Sequence, residues 1–90
     1  MALWRDRLAE LRRARSCHQQ ALDLARQVAS SWDEAHALAG LGRCALAVGD
    51  PAEAEDDLRQ ALGIFQRMGT AEAAELAAEL DALTGGGPAA

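Results

Sequence analysis

The sequence predicts an all-α protein of about four helices, and three observations lead there. Strand-forming residues are scarce: 22 Ala and 13 Leu stand against two Val, one Ile and two Thr in 90 residues. Five β-branched residues cannot furnish a sheet or barrel. Apolar residues recur at three- and four-residue steps over most of the chain. Ser, Gly, Asp and Pro interrupt that pattern at three places, which divides the chain into four helical lengths. A chain of 90 residues and 9.5 kDa holds one domain with a small core.

The first helix is expected over residues 2–29. Trp4, Leu8, Leu11, Ala14, His18, Ala21, Leu22, Ala25 and Val28 form its apolar or small stripe, and no Gly or Pro breaks it. Ser30 and Ser31 end the pattern. Ser31 is expected to cap the second helix, with Glu34 three residues on as in a capping box. That helix runs from about Trp32 to Val48, where Gly49 offers a left-handed stop. Asp50-Pro51-Ala52-Glu53 opens the third helix: Asp50 caps, and Pro51 fits the first helical position because its missing N–H would find no partner there anyway. The acids at 53 and 55–57 suit the positive end of the helix dipole. Ala54, Leu58, Ala61, Leu62, Phe65 and Met68 make one face, and Gly69 ends the helix. Thr70 is expected to cap a fourth helix over about 71–83, with Ala73, Leu76, Leu80 and Leu83 as its stripe. Residues 85–90, rich in Gly and Ala, carry nothing to pack and read as a disordered tail after a domain spanning 1–84.

Charge narrows the classes of function. The formal net charge is −5 and the pI about 4.8, which opposes binding to a phosphate backbone. The charge is also uneven. Residues 1–31 hold six Arg against three acids, and residues 32–90 hold three Arg against eleven acids. A chain so polarised can dock head to tail with a copy of itself or with a charged neighbour. No apolar run reaches the 18 or so residues of a membrane span. Arg5, Asp6, Arg7 and Glu10 fall where a secretory signal needs an apolar stretch, so a cytoplasmic location is expected.

The chain repeats itself. Gln20-Ala21-Leu22-Asp23-Leu24 recurs as Gln60-Ala61-Leu62-Gly63-Ile64, an offset of 40 residues, and Ala14/Ala54, Ala25/Phe65 and Val28/Met68 keep the same spacing. A period of this length marks stacked helical units. Leu38, Leu41, Gly42, Ala45, Gly49, Asp50, Ala54, Leu58, Ala61 and Phe65 resemble the tetratricopeptide repeat pattern. In that pattern a Leu-Gly pair sits in the first helix, a Gly-Asp turn follows, and small residues mark a close helix crossing. One full unit covers about 32–68, with half units on each side. The resemblance implies antiparallel helical pairs and a non-enzymatic module that binds a protein or peptide partner, without cofactor or metal. The sequence departs from the pattern at its aromatic positions, mostly Leu or Ala here, and at Gln66, where the family has proline. The 40-residue spacing is also similar to the repeat regions of large actinobacterial transcription regulators. That likeness implies an alternative, in which the chain is a fragment or relative of such a regulator's sensory region.

The resemblance places His36, Ala39, Arg43, Leu46 and Ala47 on the inward, partner-binding face of the second helix. The family's carboxylate clamp of Lys and Asn is not expected, because Ala39 and Arg43 stand at those positions. Cys17, His18, His36 and Cys44 supply the residue types of a metal site or a Cys–His nucleophile. Adjacent Cys17 and His18 point about 100° apart on a helix, however, and no third orienting group is evident, so an enzyme or metal protein is the lesser alternative. Arg5, Arg7, Arg12, Arg13 and Arg15 spread over more than half a turn, as a solvated face does. Trp4, Leu8 and Leu11 lie beyond the reach of the matched repeat at seam spacing. They are expected to pack on another chain, most simply a second copy through a two-fold interface.

Overall fold

A computed structural model describes residues 2–85 and holds four α-helices: α1 Ala2–Gln27, α2 Ser31–Ala47, α3 Pro51–Met68 and α4 Glu72–Thr84. No strand occurs among the described residues. α1 is unbroken, without a turn near residues 9–11. The tail expected at 85–90 lies, from residue 86 on, outside the described residues.

Three short turns join the helices, and each is set locally. Gly49 and Gly69 take positive φ, 85° and 70°, after α2 and α3, the left-handed stop expected of them. Asp50 caps α3 by accepting a hydrogen bond from the Glu53 amide, with Pro51 at the start of the helix. Two caps differ from expectation. Ser30, not Ser31, caps α2: its backbone is extended and its hydroxyl accepts the Asp33 amide at 3.3 Å. The expected partner Glu34 instead pairs with Arg26 at 3.4 Å. Thr70 does not cap α4. The cap is Ala71, with no side-chain hydrogen bond, and the buried Thr70 hydroxyl has no partner.

The first turn reaches the same geometry with an unsuitable residue. Ala29 holds φ at 54°, one period before Gly69, and bonds from the Ser30 amide to Ala25 O at 2.9 Å close the motif. A Cβ in this region meets the following carbonyl oxygen. Ala29→Gly is therefore expected to stabilise the protein by about 0.5–1 kcal/mol, the relieved strain exceeding the entropy that Gly adds to the unfolded chain. A thermal melt that moves up by several degrees checks this.

α2 packs between α1 and α3, and α4 returns over α3. The chain thus forms two layers, α1 and α3 in one and α2 and α4 in the other, with consecutive helices antiparallel. Because α2 is enclosed on several sides, Ala35, Ala37, Leu38, Ala39, Gly40, Leu41, Gly42, Cys44 and Ala45 are all buried. Only small residues let helices approach it from so many directions. A Cβ on Gly42 would stand 2.8 Å from Leu58 Cγ and 3.2 Å from the Ala54 carbonyl oxygen, which locates the close α2–α3 crossing. A Cβ on Gly40 would meet the His18 ring at 2.5 Å, which locates the α1–α2 one. The core joins Leu22 of α1, Leu38 and Leu41 of α2, Leu58, Ile64 and Phe65 of α3, and Leu76 and Leu80 of α4.

Candidate protein-interaction surfaces

The five residues assigned to the inward face of α2 do not stay together. Ala39 is buried. Arg43 is held by α4: its Nε donates to Glu79 Oε2 at 3.1 Å and its Nη2 to Oε1 at 2.6 Å. This paired geometry raises the Arg43 pKa above its ordinary value. The His36 ring lies 4.4 Å from Trp32 and meets the edge of Phe65 at 5.2 Å. His36, Ala39 and Arg43 thus share a small cavity of about 200 Å³ with Phe65, Glu72, Glu75 and Leu76, on ground that α4 already borders. Leu46 and Ala47 are exposed at the far end of α2.

Ala47 instead joins the residues picked out on α1. With 26 residues against 17 for α2, α1 is longer by about 13 Å at 1.5 Å per residue. Its first two turns project past the end of α2. Trp4 is 71% exposed, while Leu8 and Leu11 are half-buried. Together with Leu3, Arg7, Ala47 and Val48 they line a groove of about 780 Å³. Trp4 therefore finds no cover within its own described chain. Leu3 and Val48 complete the groove without having been singled out, since neither falls on the stripe that marks each helix's core side.

A second groove of about 780 Å³ runs between α1 and α2. His18, Ala21, Leu24, Ala25 and Val28 form one wall, and Asp33, His36, Ala37, Gly40, Arg43 and Cys44 the other. The stripe read from the sequence buries Ala21 and Val28. In the structure Ala21 is exposed, Val28 is 64% exposed and Leu24 beside them 58%. Periodicity identifies the apolar side of a helix but not whether another element covers it. The signal lay in the 40-residue repeat, which makes α1 the counterpart of α3, while among the described residues no helix stands against α1 as α2 stands against α3.

Of the sulfur and imidazole groups, His18, His36 and Cys44 line the second groove and Cys17 does not. Cys17 is exposed and Cys44 buried. Among the described residues no three of His, Cys, Asp and Glu come together as metal ligands. Of the basic residues of α1, Arg15 pairs with Glu53 of α3 at 2.9 Å, and Arg5, Arg7, Arg12 and Arg13 are exposed. No helix among the described residues is long and apolar enough to cross a membrane.

No curated protein and no solved structure matches the chain. The family model of the tetratricopeptide repeat matches residues 1–67, which takes in α1, α2 and nearly all of α3. That match accords with the antiparallel pairs, the Gly42 crossing and the Gly49-Asp50 turn. The chain belongs to the tetratricopeptide repeat family.

Proposed function

We propose that this protein is a non-enzymatic protein-interaction module that takes up an amphipathic helix or peptide, from another protein or from a second copy of itself. The observation that carries the reading is the pair of apolar grooves on α1, which no element of the described chain covers. Burial of such surface is the main source of association free energy, and helix-in-groove docking uses anchors at the spacing of Trp4, Leu8 and Leu11. Arg7 lines the same groove, so a partner helix with acidic flanks suits it better than a basic one. Leu46 and Ala47, from the face assigned to partner binding, extend this end of the molecule. His36 and Arg43 line the second groove as well as the cavity beside α4, whereas Ala39 is buried.

The test compares partners retained by the immobilised intact chain with those retained by a Trp4→Glu, Leu8→Glu variant that keeps its helical circular dichroism. A protein recovered by the first and lost by the second, whether another polypeptide or added soluble copies of the chain, is the expected result. Equal recovery by the intact chain, by this variant and by one carrying Leu24→Glu in the second groove, or no recovery by the intact chain, overturns the assignment.

A further inference from the structure

The 40-residue period makes the two ends of the array complementary. α3 packs between α2 and α4, whereas among the described residues α1 packs on α2 and reaches α3 through the Arg15–Glu53 pair. The consequence shows residue by residue. Ala61 and Ile64 of α3 are buried, but their counterparts Ala21 and Leu24 of α1 are exposed. The other end shows the reverse deficiency. Leu38, Leu41, Gly42 and Ala45 of α2 are buried, in the face that meets α3 at the Gly42 crossing. Their counterparts, Ala78, Asp81 and Ala82 of α4 and Gly85 just after it, are all exposed. Among the described residues, α1 therefore has no helix on the side where α2 packs against α3, and α4 has none on the side where α3 packs against α2.

We propose that the groove between α1 and α2 receives α4 of a second copy of this chain, in a head-to-tail contact that completes a repeat across the interface. The proposal rests on the interaction-module reading and names its partner. Carried over by the period, the contact of Gly42 with Leu58 and Ala54 sets Ala82 of one copy against His18 and Ala14 of the next. The groove's exposed Ala21, Leu24 and Val28 then come under α4. Charge favours the same pairing. α4 carries Glu72, Glu75, Glu79 and Asp81 and no base, while α1 carries six Arg against three acids. Two α1 helices meeting about a two-fold axis would instead bring like charges together. Because the two surfaces differ, the contact is heterologous: it continues into a ring or an open stack rather than ending at a pair.

Sedimentation velocity of the intact chain from micromolar concentration upward tests this with two substitutions at exposed positions, Leu24→Glu in the groove and Ala78→Arg on α4. The wild type is expected to associate beyond a dimer as concentration rises. Each variant alone, with unchanged circular dichroism, is expected to sediment as a monomer. A one-to-one mixture of the two is expected to form a heterodimer and nothing larger, since each contributes one intact surface. Val28→Glu, on the same wall, replaces Leu24→Glu if that variant loses helicity. A wild type that stays monomeric throughout overturns the proposal, as does association that survives either variant. Association abolished by Trp4→Glu but untouched by Leu24→Glu also overturns it, in favour of the Trp4, Leu8, Leu11 seam. That last outcome leaves the interaction-module reading standing.

Discussion

Phe65→Ala is expected to lower the thermal midpoint by about 15 °C or more, or to abolish the cooperative transition altogether. Phe65 is the only Phe in the chain and one of its most completely buried large side chains. It meets Trp32 edge-on at 5.8 Å and His36 at 5.2 Å, and it belongs to the core that ties α2, α3 and α4 together. Truncating a buried Phe to Ala costs about 3–5 kcal/mol, from lost transfer free energy and from the cavity left behind. Much of the surrounding core is alanine, which has no rotamers with which to fill a void. In a domain this small, each kcal/mol moves the midpoint by about 4–8 °C. Phe65→Leu, which keeps most of the volume, should cost far less. Melts followed at 222 nm decide the matter, and a shift of only a few degrees for Phe65→Ala would place the main core contact elsewhere.

Gly42→Leu is expected to cost about 1–3 kcal/mol by overpacking the α2–α3 crossing. Even a single Cβ there is closer to Leu58 Cγ, at 2.8 Å, than real contacts allow, and the Ala54 carbonyl stands at 3.2 Å on the other side. Leu58 is buried and the carbonyl is part of a helix ladder, so neither can withdraw cheaply. Gly63, in the middle of α3, provides the control. A Cβ at Gly63 meets only the end of the Arg67 side chain, at 3.6 Å, so Gly63→Ala should stabilise by about 0.5–1 kcal/mol through helix propensity. Opposite signs for the two glycines in denaturant unfolding would place the crossing at Gly42. Equal effects would show that backbone propensity alone governs both positions.

The helices and most of their ends were legible in the residues. Gly49, Asp50, Pro51 and Gly69 act within four residues of themselves, through a positive φ or a side chain reaching a nearby amide. Such signals hold whatever packs around them. Where two adjacent residues offered the same chemistry, the backbone decided. The left-handed Ala29 turns Ser30, rather than Ser31, into the extended conformation a cap needs. Thr70 had the right chemistry too, yet its hydroxyl is buried without a partner and Ala71 stands at the cap.

Burial and pairing between helices were not legible in this way. By itself the sequence determined four helices and the 40-residue period, because propensity, caps and small-residue spacing are properties of neighbouring positions. The close crossing at Gly42 was implied by the family resemblance. Only the tertiary structure decided which apolar faces are covered. It put Ala39 in the core, tied Arg43 to Glu79 across 36 residues, and left Trp4, Leu24 and Val28 open. Covering a face takes a second helix, and the position of that helix depends on every crossing between the two. A stripe of apolar residues is the same on a helix with a neighbour as on one still waiting for it.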